Sequence, residues 1–187
     1  MTGEQDGMVI EGSNYAFLSS TQLNVGTHVT GEEIRTIITI DFPLAPFPLG
    51  TIPAGHLDRA ALQLTNAPPW GTPPIDIVLD VLPYSSVILS SQFYESAIWT
   101  EIPEDQDALE ASYDGYEQSA FDITQPMRDA LDRQDPGFTV RLRARDLLRN
   151  GVSNRASFWA MEGPPYSEYW PIIYLCYWVS WRSGVTQ

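Results

Sequence analysis

The chain has 187 residues, 43% of them hydrophobic, and carries a formal charge of -14, with 24 acidic residues against ten cations that are all arginine. This is enough apolar material for one sizeable core, so a single domain is the default. The charge argues against nucleic acid as a partner, no apolar run is long enough to insert in a membrane, and the lone Cys176 excludes an intrachain disulfide or a cysteine-based metal cluster.

An acidic surface of this kind is compatible with plain solubility, a saline habitat or divalent-cation binding, and composition does not separate them. The N-terminus, Met-Thr-Gly-Glu-Gln-Asp-Gly, lacks the basic then apolar pattern of a secretory signal. The expected setting is therefore a virion or an extracellular surface, reached by lysis or after removal of a signal.

Residues 1–12 are polar and contain glycine, and read as a flexible N-terminal arm; a single domain is expected over 13–182, with a tail at 183–187. Leu23-Asn24-Val25-Gly26 reads as a short strand ending at a turn. From Ile34 to Phe42 the alternation is clear: Ile34, Thr36, Ile38, Ile40 and Phe42 share one face, and Arg35, Ile37, Thr39 and Asp41 the other. Residues 43–56 carry four prolines, which a central strand does not tolerate, so they form a long connection. Leu57 to Thr65 is a strand with Ala60, Leu62 and Leu64 inward. A second proline-rich loop, Ala67 to Pro74, presents Trp70, and a further strand follows from Ile75 to Leu82.

Between Ser90 and Glu117 the pattern weakens into an acidic loop, with Glu101, Glu104, Asp105, Asp107 and Glu110 interleaved with Trp99, Tyr113 and Tyr116. Phe121-Asp122-Ile123 reads as a short strand before one short helix near residues 125–134. Thr124 is placed to cap that helix, Pro126 suits its first turn, and Asp135-Pro136-Gly137 stops it. Phe138, Val140, Leu142 and Ala144 then alternate with Thr139, Arg141, Arg143 and Arg145. The last run, Ile172 to Trp181, is apolar on both faces: Tyr174, Cys176 and Trp178 on one, Ile173, Leu175, Tyr177, Val179 and Trp181 on the other. Short alternating strands between turns predict an all-β, antiparallel β-sandwich.

The order of these elements resembles the DNRLRE-type domain of bacterial surface and secreted proteins. The resemblance rests on Tyr15, Leu23 to Gly26, Ile34 to Phe42, Ile52-Pro53-Ala54-Gly55, Arg59 to Leu64, Phe121 to Thr124, Phe138 to Arg143 and Pro171 to Tyr177, across roughly residues 13–178. It implies a sandwich of jelly-roll type and a carbohydrate-binding or adhesive role. The region from Ser90 to Glu117 departs from the family's pattern, so no ligand residues carry over.

Catalytic signatures are missing from the sequence. His28 and His56 fall in predicted loops away from any serine or cysteine motif, and no HExxH, GxSxG or phosphate-cradling loop occurs, so the chain is expected not to be an enzyme. The carboxylates from Glu101 to Asp114 do not have the spacing of an EF-hand, and a solvated acidic loop is preferred to a calcium site; no cofactor is expected.

Sugar recognition uses exposed aromatic rings on which the CH face of a pyranose stacks. Trp70, Trp99, Tyr113 and Tyr116 are the candidates, the alternative for each being a plug at the end of the sandwich. Arg141, Arg143 and Arg145 form a row able to grip the carboxylates of an acidic polysaccharide, with pairing to the chain's own acids as the alternative. The second apolar face of the last strand, Tyr177, Val179 and Trp181, is the expected interface of a homo-oligomer or a particle neighbour. Two functions stay open: a module binding a polysaccharide or cell-surface glycan, and a purely structural decoration, fibre or spike protein.

Overall fold

The computed structural model describes residues 6–42, 53–67, 75–101, 118–160 and 171–177. In chain order they form β1 (Asp6–Ile10), β2 (Ala16–Phe17), β3 (Gln22–Thr27), β4 (Glu33–Asp41), β5 (Leu57–Thr65), β6 (Ile77–Leu82), β7 (Trp99–Glu101), β8 (Gln118–Asp122), the helix α1 (Thr124–Arg133), β9 (Gly137–Ala144), β10 (Asn154–Trp159) and β11 (Ile172–Tyr177). Every strand pairing is antiparallel. The chain is an all-β sandwich of two sheets, with one α-helix among the described residues.

The larger sheet runs β10-β3-β4-β9-β6-β7, with β1 also on β4 and β2 on β1; the smaller runs β11-β5-β8. An isolated bridge between Asn66, just past β5, and Phe158 of β10 stitches the two sheets together. Among the described residues the division is eight strands against three, and a jelly-roll order stays an expectation of the resemblance.

Period-two alternation builds the core. Ile34, Ile38 and Ile40 of β4, Ile77, Leu79 and Val81 of β6, and Phe138, Val140 and Leu142 of β9 face Ala60, Leu62 and Leu64 of β5 and Phe121 of β8. Ile173 and Leu175 of β11 pack against the same core, and Met127 and Ala130 of α1 enter it. Each large aliphatic side chain buried this way contributes roughly 1.5–3 kcal/mol, which suits a fold without a disulfide.

Two details differ from the sequence reading. Residues 6–10 are not a flexible arm: they lie antiparallel on β4, pairing Asp6 with Ile38 and Ile10 with Ile34, and Val9 is fully buried. The three apolar residues Met8-Val9-Ile10 supply the burial that the polar composition of the segment concealed. Thr124 is not the helix cap either. Its hydroxyl spans to the backbone of Ala60, accepting from the N–H at 2.9 Å and donating to the carbonyl at 3.2 Å, while Asp122 accepts the Thr124 N–H at 2.8 Å. At the other end Gln134 adopts a left-handed conformation (φ 58°) and its N–H closes the last turn.

Gly137 opens β9 where the backbone of Ile40 and Asp41 passes so closely that a Cβ would overlap the Ile40 carbonyl oxygen. Gly137→Ala is expected to lower stability by about 1–3 kcal/mol in urea unfolding. Gly55→Ala, with no atom within 4 Å of the added carbon, serves as the control and leaves the midpoint unchanged or slightly raised.

Candidate functional site

The two sheets expose very different outer faces. On the larger sheet, Asp80 of β6 is buried at the outer surface and holds two guanidiniums from β9. Arg141 donates through Nε and Nη2 to Asp80 Oδ2 at 2.9 and 2.6 Å, and Arg143 donates through Nε to the same oxygen at 2.9 Å. Thr100 of β7 donates to Asp80 Oδ1 at 3.0 Å. Burial pushes the Asp80 carboxyl up, but the hydrogen bonds and charges of Arg143 and Arg141 outweigh it and hold the group below its ordinary value.

The remaining nitrogen of Arg141 extends this anchor to the connection between β6 and β7. Nη1 donates to the carbonyls of Gln92, Phe93 and Glu95 at 2.9, 3.1 and 2.8 Å. Arg35 of β4 does the same from a second strand: it pairs with Glu33, donates to the Phe93 carbonyl at 2.5 Å, and lies 4.0 Å over the Phe93 ring. Beneath the connection, Ile88 and Phe93 join Val9, Ile37 and Leu82 in a second small core. Residues 83–98 are thus clamped across the outer face of the larger sheet.

This arrangement corrects the reading of the arginine row as a ligand grip. Arg141 is only 5% exposed and fully committed within the chain, Arg143 shares its carboxylate, and Arg145 lies 4.0 Å from Asp76. Trp99 is also not in a loop: it belongs to β7, paired with Val81, and is half-buried against the main core. Trp70, Tyr113, Tyr116, Val179 and Trp181 lie outside the described residues, as does the acidic stretch from 102 to 114. Tyr177 ends β11 just after a slip in register at Cys176 and is partly exposed. On that strand the inward face is Ile173 and Leu175, so the face turned outward is the one bearing Tyr174 and Cys176.

The smaller sheet turns a different surface outward. Arg59, Ala61 and Gln63 of β5 alternate with core residues, and Ala61 lies between Tyr174 of β11 and Asp122 of β8. The small side chains of Ala61 and Ala120 leave a shallow groove of about 390 Å³, lined also by Arg59, Gln63, Tyr174, Leu175 and Cys176. Tyr174 is 53% exposed along it. A second open groove of about 480 Å³ shares Arg59 and is lined by Asp58, Trp99, Asp122, Thr124, Gln125 and Arg128. Among the described residues singled out from the sequence, Trp99 lines the second of these grooves. The signal for the rest was present in β5, where Arg59, Ala61 and Gln63 are the off-core positions of an otherwise apolar strand.

His28 Nδ1 lies 2.6 Å from the Thr30 hydroxyl, which donates to Glu32, all within the exposed β3–β4 turn. Among the described residues no three His, Cys, Asp or Glu side chains converge as metal ligands, and no helix is long and apolar enough to cross a membrane. No protein-family model matches the chain, and a search of curated proteins finds no relative.

Because the folded Asp80 carboxyl titrates below its unfolded value of about 3.9, its contribution is fully present above that pH and is lost as pH falls through the folded value. Asp80→Asn leaves Arg141 buried without its counter-charge and is expected to cost about 3–5 kcal/mol in chemical unfolding near neutral pH. The difference between variant and wild type should shrink in acid. A loss below 1 kcal/mol, unchanged with pH, would contradict the clamp.

Proposed function

We propose that the chain is a non-catalytic binding module that takes a polysaccharide chain along the outer face of the β11-β5-β8 sheet. The observation that carries this reading is the open groove over Ala61 and Ala120, with the exposed Tyr174 ring at one side and Arg59 and Gln63 within the same lining. A sugar ring stacks its CH face on an aromatic side chain while guanidinium and amide groups take its hydroxyls, and a shallow open groove admits a polymer rather than only its end. The resemblance to DNRLRE-type domains of bacterial surface and secreted proteins favours glycan binding as well.

A second reading, assembly with copies or neighbours in a particle, draws on a separate surface. Phe17 of β2 and Leu89 and Tyr94 of the clamped connection are exposed, with Tyr94 the most open at 70%. The Tyr94 hydroxyl accepts the Gly12 N–H at 3.2 Å, and the Phe17 carbonyl and the Leu18 and Ile88 side chains border Gly7, so the connection and β2 both lie against β1. Exposed apolar side chains on these neighbouring segments suit a protein contact. Light scattering on the purified chain tests it: an oligomer that dissociates on Leu89→Asp supports assembly through this surface, and a wild-type monomer rules it out.

For the binding reading, affinity electrophoresis against a panel of neutral and acidic polysaccharides is the direct test. Tyr174→Ala is expected to weaken retention about tenfold with the thermal midpoint unchanged, since the ring lies outside the core. Retention by no polysaccharide, or equal retention of wild type and variant, would contradict the assignment.

A further inference from the structure

We infer that the ligand carries anionic groups, a sugar carboxylate or sulfate, and that Arg59 and Arg128 receive one of them; the inference rests on the polysaccharide reading above. It comes from accounting for the cations. Arg35, Arg133, Arg141, Arg143, Arg145 and Arg149 each lie within 4.0 Å of a carboxylate of this chain. In a protein with 24 acidic residues, such pairing is the expected fate of a guanidinium.

Arg59 and Arg128 depart from it. Both line the groove of about 480 Å³ at the start of α1, and among the described residues neither has a carboxylate within ion-pair distance. Arg128 is held in place by its Nε and Nη2, which donate to the Leu57 carbonyl at 3.0 and 2.7 Å, with Nη2 also 3.1 Å from the Asp58 carbonyl. Those bonds fix its orientation without neutralising its charge. Arg59 is exposed on β5 and faces both grooves, so it joins the site beside Trp99 to the Tyr174 groove.

Two guanidiniums left with their charge uncompensated in one groove suit a ligand that supplies the counter-charge, and a guanidinium presents a planar fork that matches a carboxylate or sulfate. The acids that share the lining do not cancel this. Asp122 already accepts the Thr124 N–H, and Asp58 is exposed at the edge, where carboxylates accept hydroxyl protons from a sugar. A bare inorganic anion would meet only the arginines, whereas a charged sugar with hydroxyls satisfies both signs. Trp99, half-buried in the same lining, adds an apolar wall.

The test uses affinity electrophoresis of the full chain in gels containing polygalacturonate, dextran sulfate, neutral dextran, galactan or xylan. Wild type is expected to be retarded by polygalacturonate or dextran sulfate, the one preferred naming the anionic group, and not by the neutral polymers. Arg59→Gln should weaken that retention about tenfold and raised ionic strength should weaken it further, while Arg59→Lys restores part of it. Arg59→Gln is preferred to a change at Arg128, whose backbone bonds make it structural. Retention by a neutral polymer, or retention by an anionic one that Arg59→Gln leaves intact, overturns this inference while the polysaccharide reading stands. Retention by none of the polymers overturns both.

Discussion

A single carboxylate, Asp80, organises the larger sheet. It lies buried between Arg141 and Arg143, and through Arg141 it reaches three carbonyls of the connection that follows β6. The desolvation of these charges is repaid only because nearly every polar atom finds a partner, and removing one partner leaves the others stranded. The anchor also explains the second small core: residues 83–98 stay on the sheet long enough to bury Ile88 and Phe93 against Val9, Ile37 and Leu82. The clamp is therefore polar at its centre and apolar around it.

Closing one face has a consequence for the other. With the outer surface of the larger sheet covered there by the chain's own connection, the β11-β5-β8 sheet carries the open grooves among the described residues, and the off-core residues of β5 and β8 are small or polar, with Tyr174 of β11 beside them. The cations divide in the same way. Those of β4 and β9 serve the fold, while Arg59 and Arg128, on β5 and α1, stand beside the grooves.

Much of the fold was legible in the sequence where alternation is strong. β4, β5, β6, β9 and α1 occur within a few residues of their expected positions, because each places a mostly apolar row on one face. β1, β7 and β10 were not legible. β1 and β7 are short, and the burial of β10 comes from a partner distant in sequence, with Ala156 facing Val25 of β3. The site was harder still. Arg141 lies 61 residues from the carboxylate that neutralises it, and no local pattern distinguishes an arginine so paired from one waiting for a ligand. Arg59, by contrast, sits in a strand the alternation identified, but its significance emerges only beside the carboxylate pairings of Arg35, Arg133, Arg141, Arg143, Arg145 and Arg149.

Chemical modification reads this division of the arginines without a ligand. Under limiting phenylglyoxal at neutral pH, followed by mass spectrometry of the peptides, Arg59 is expected to react early and Arg141 to stay protected until the chain unfolds. Equal reactivity of Arg141 and Arg59 in the native protein would contradict the account, because it would mean that the larger sheet's outer face is open and the arginine row available after all.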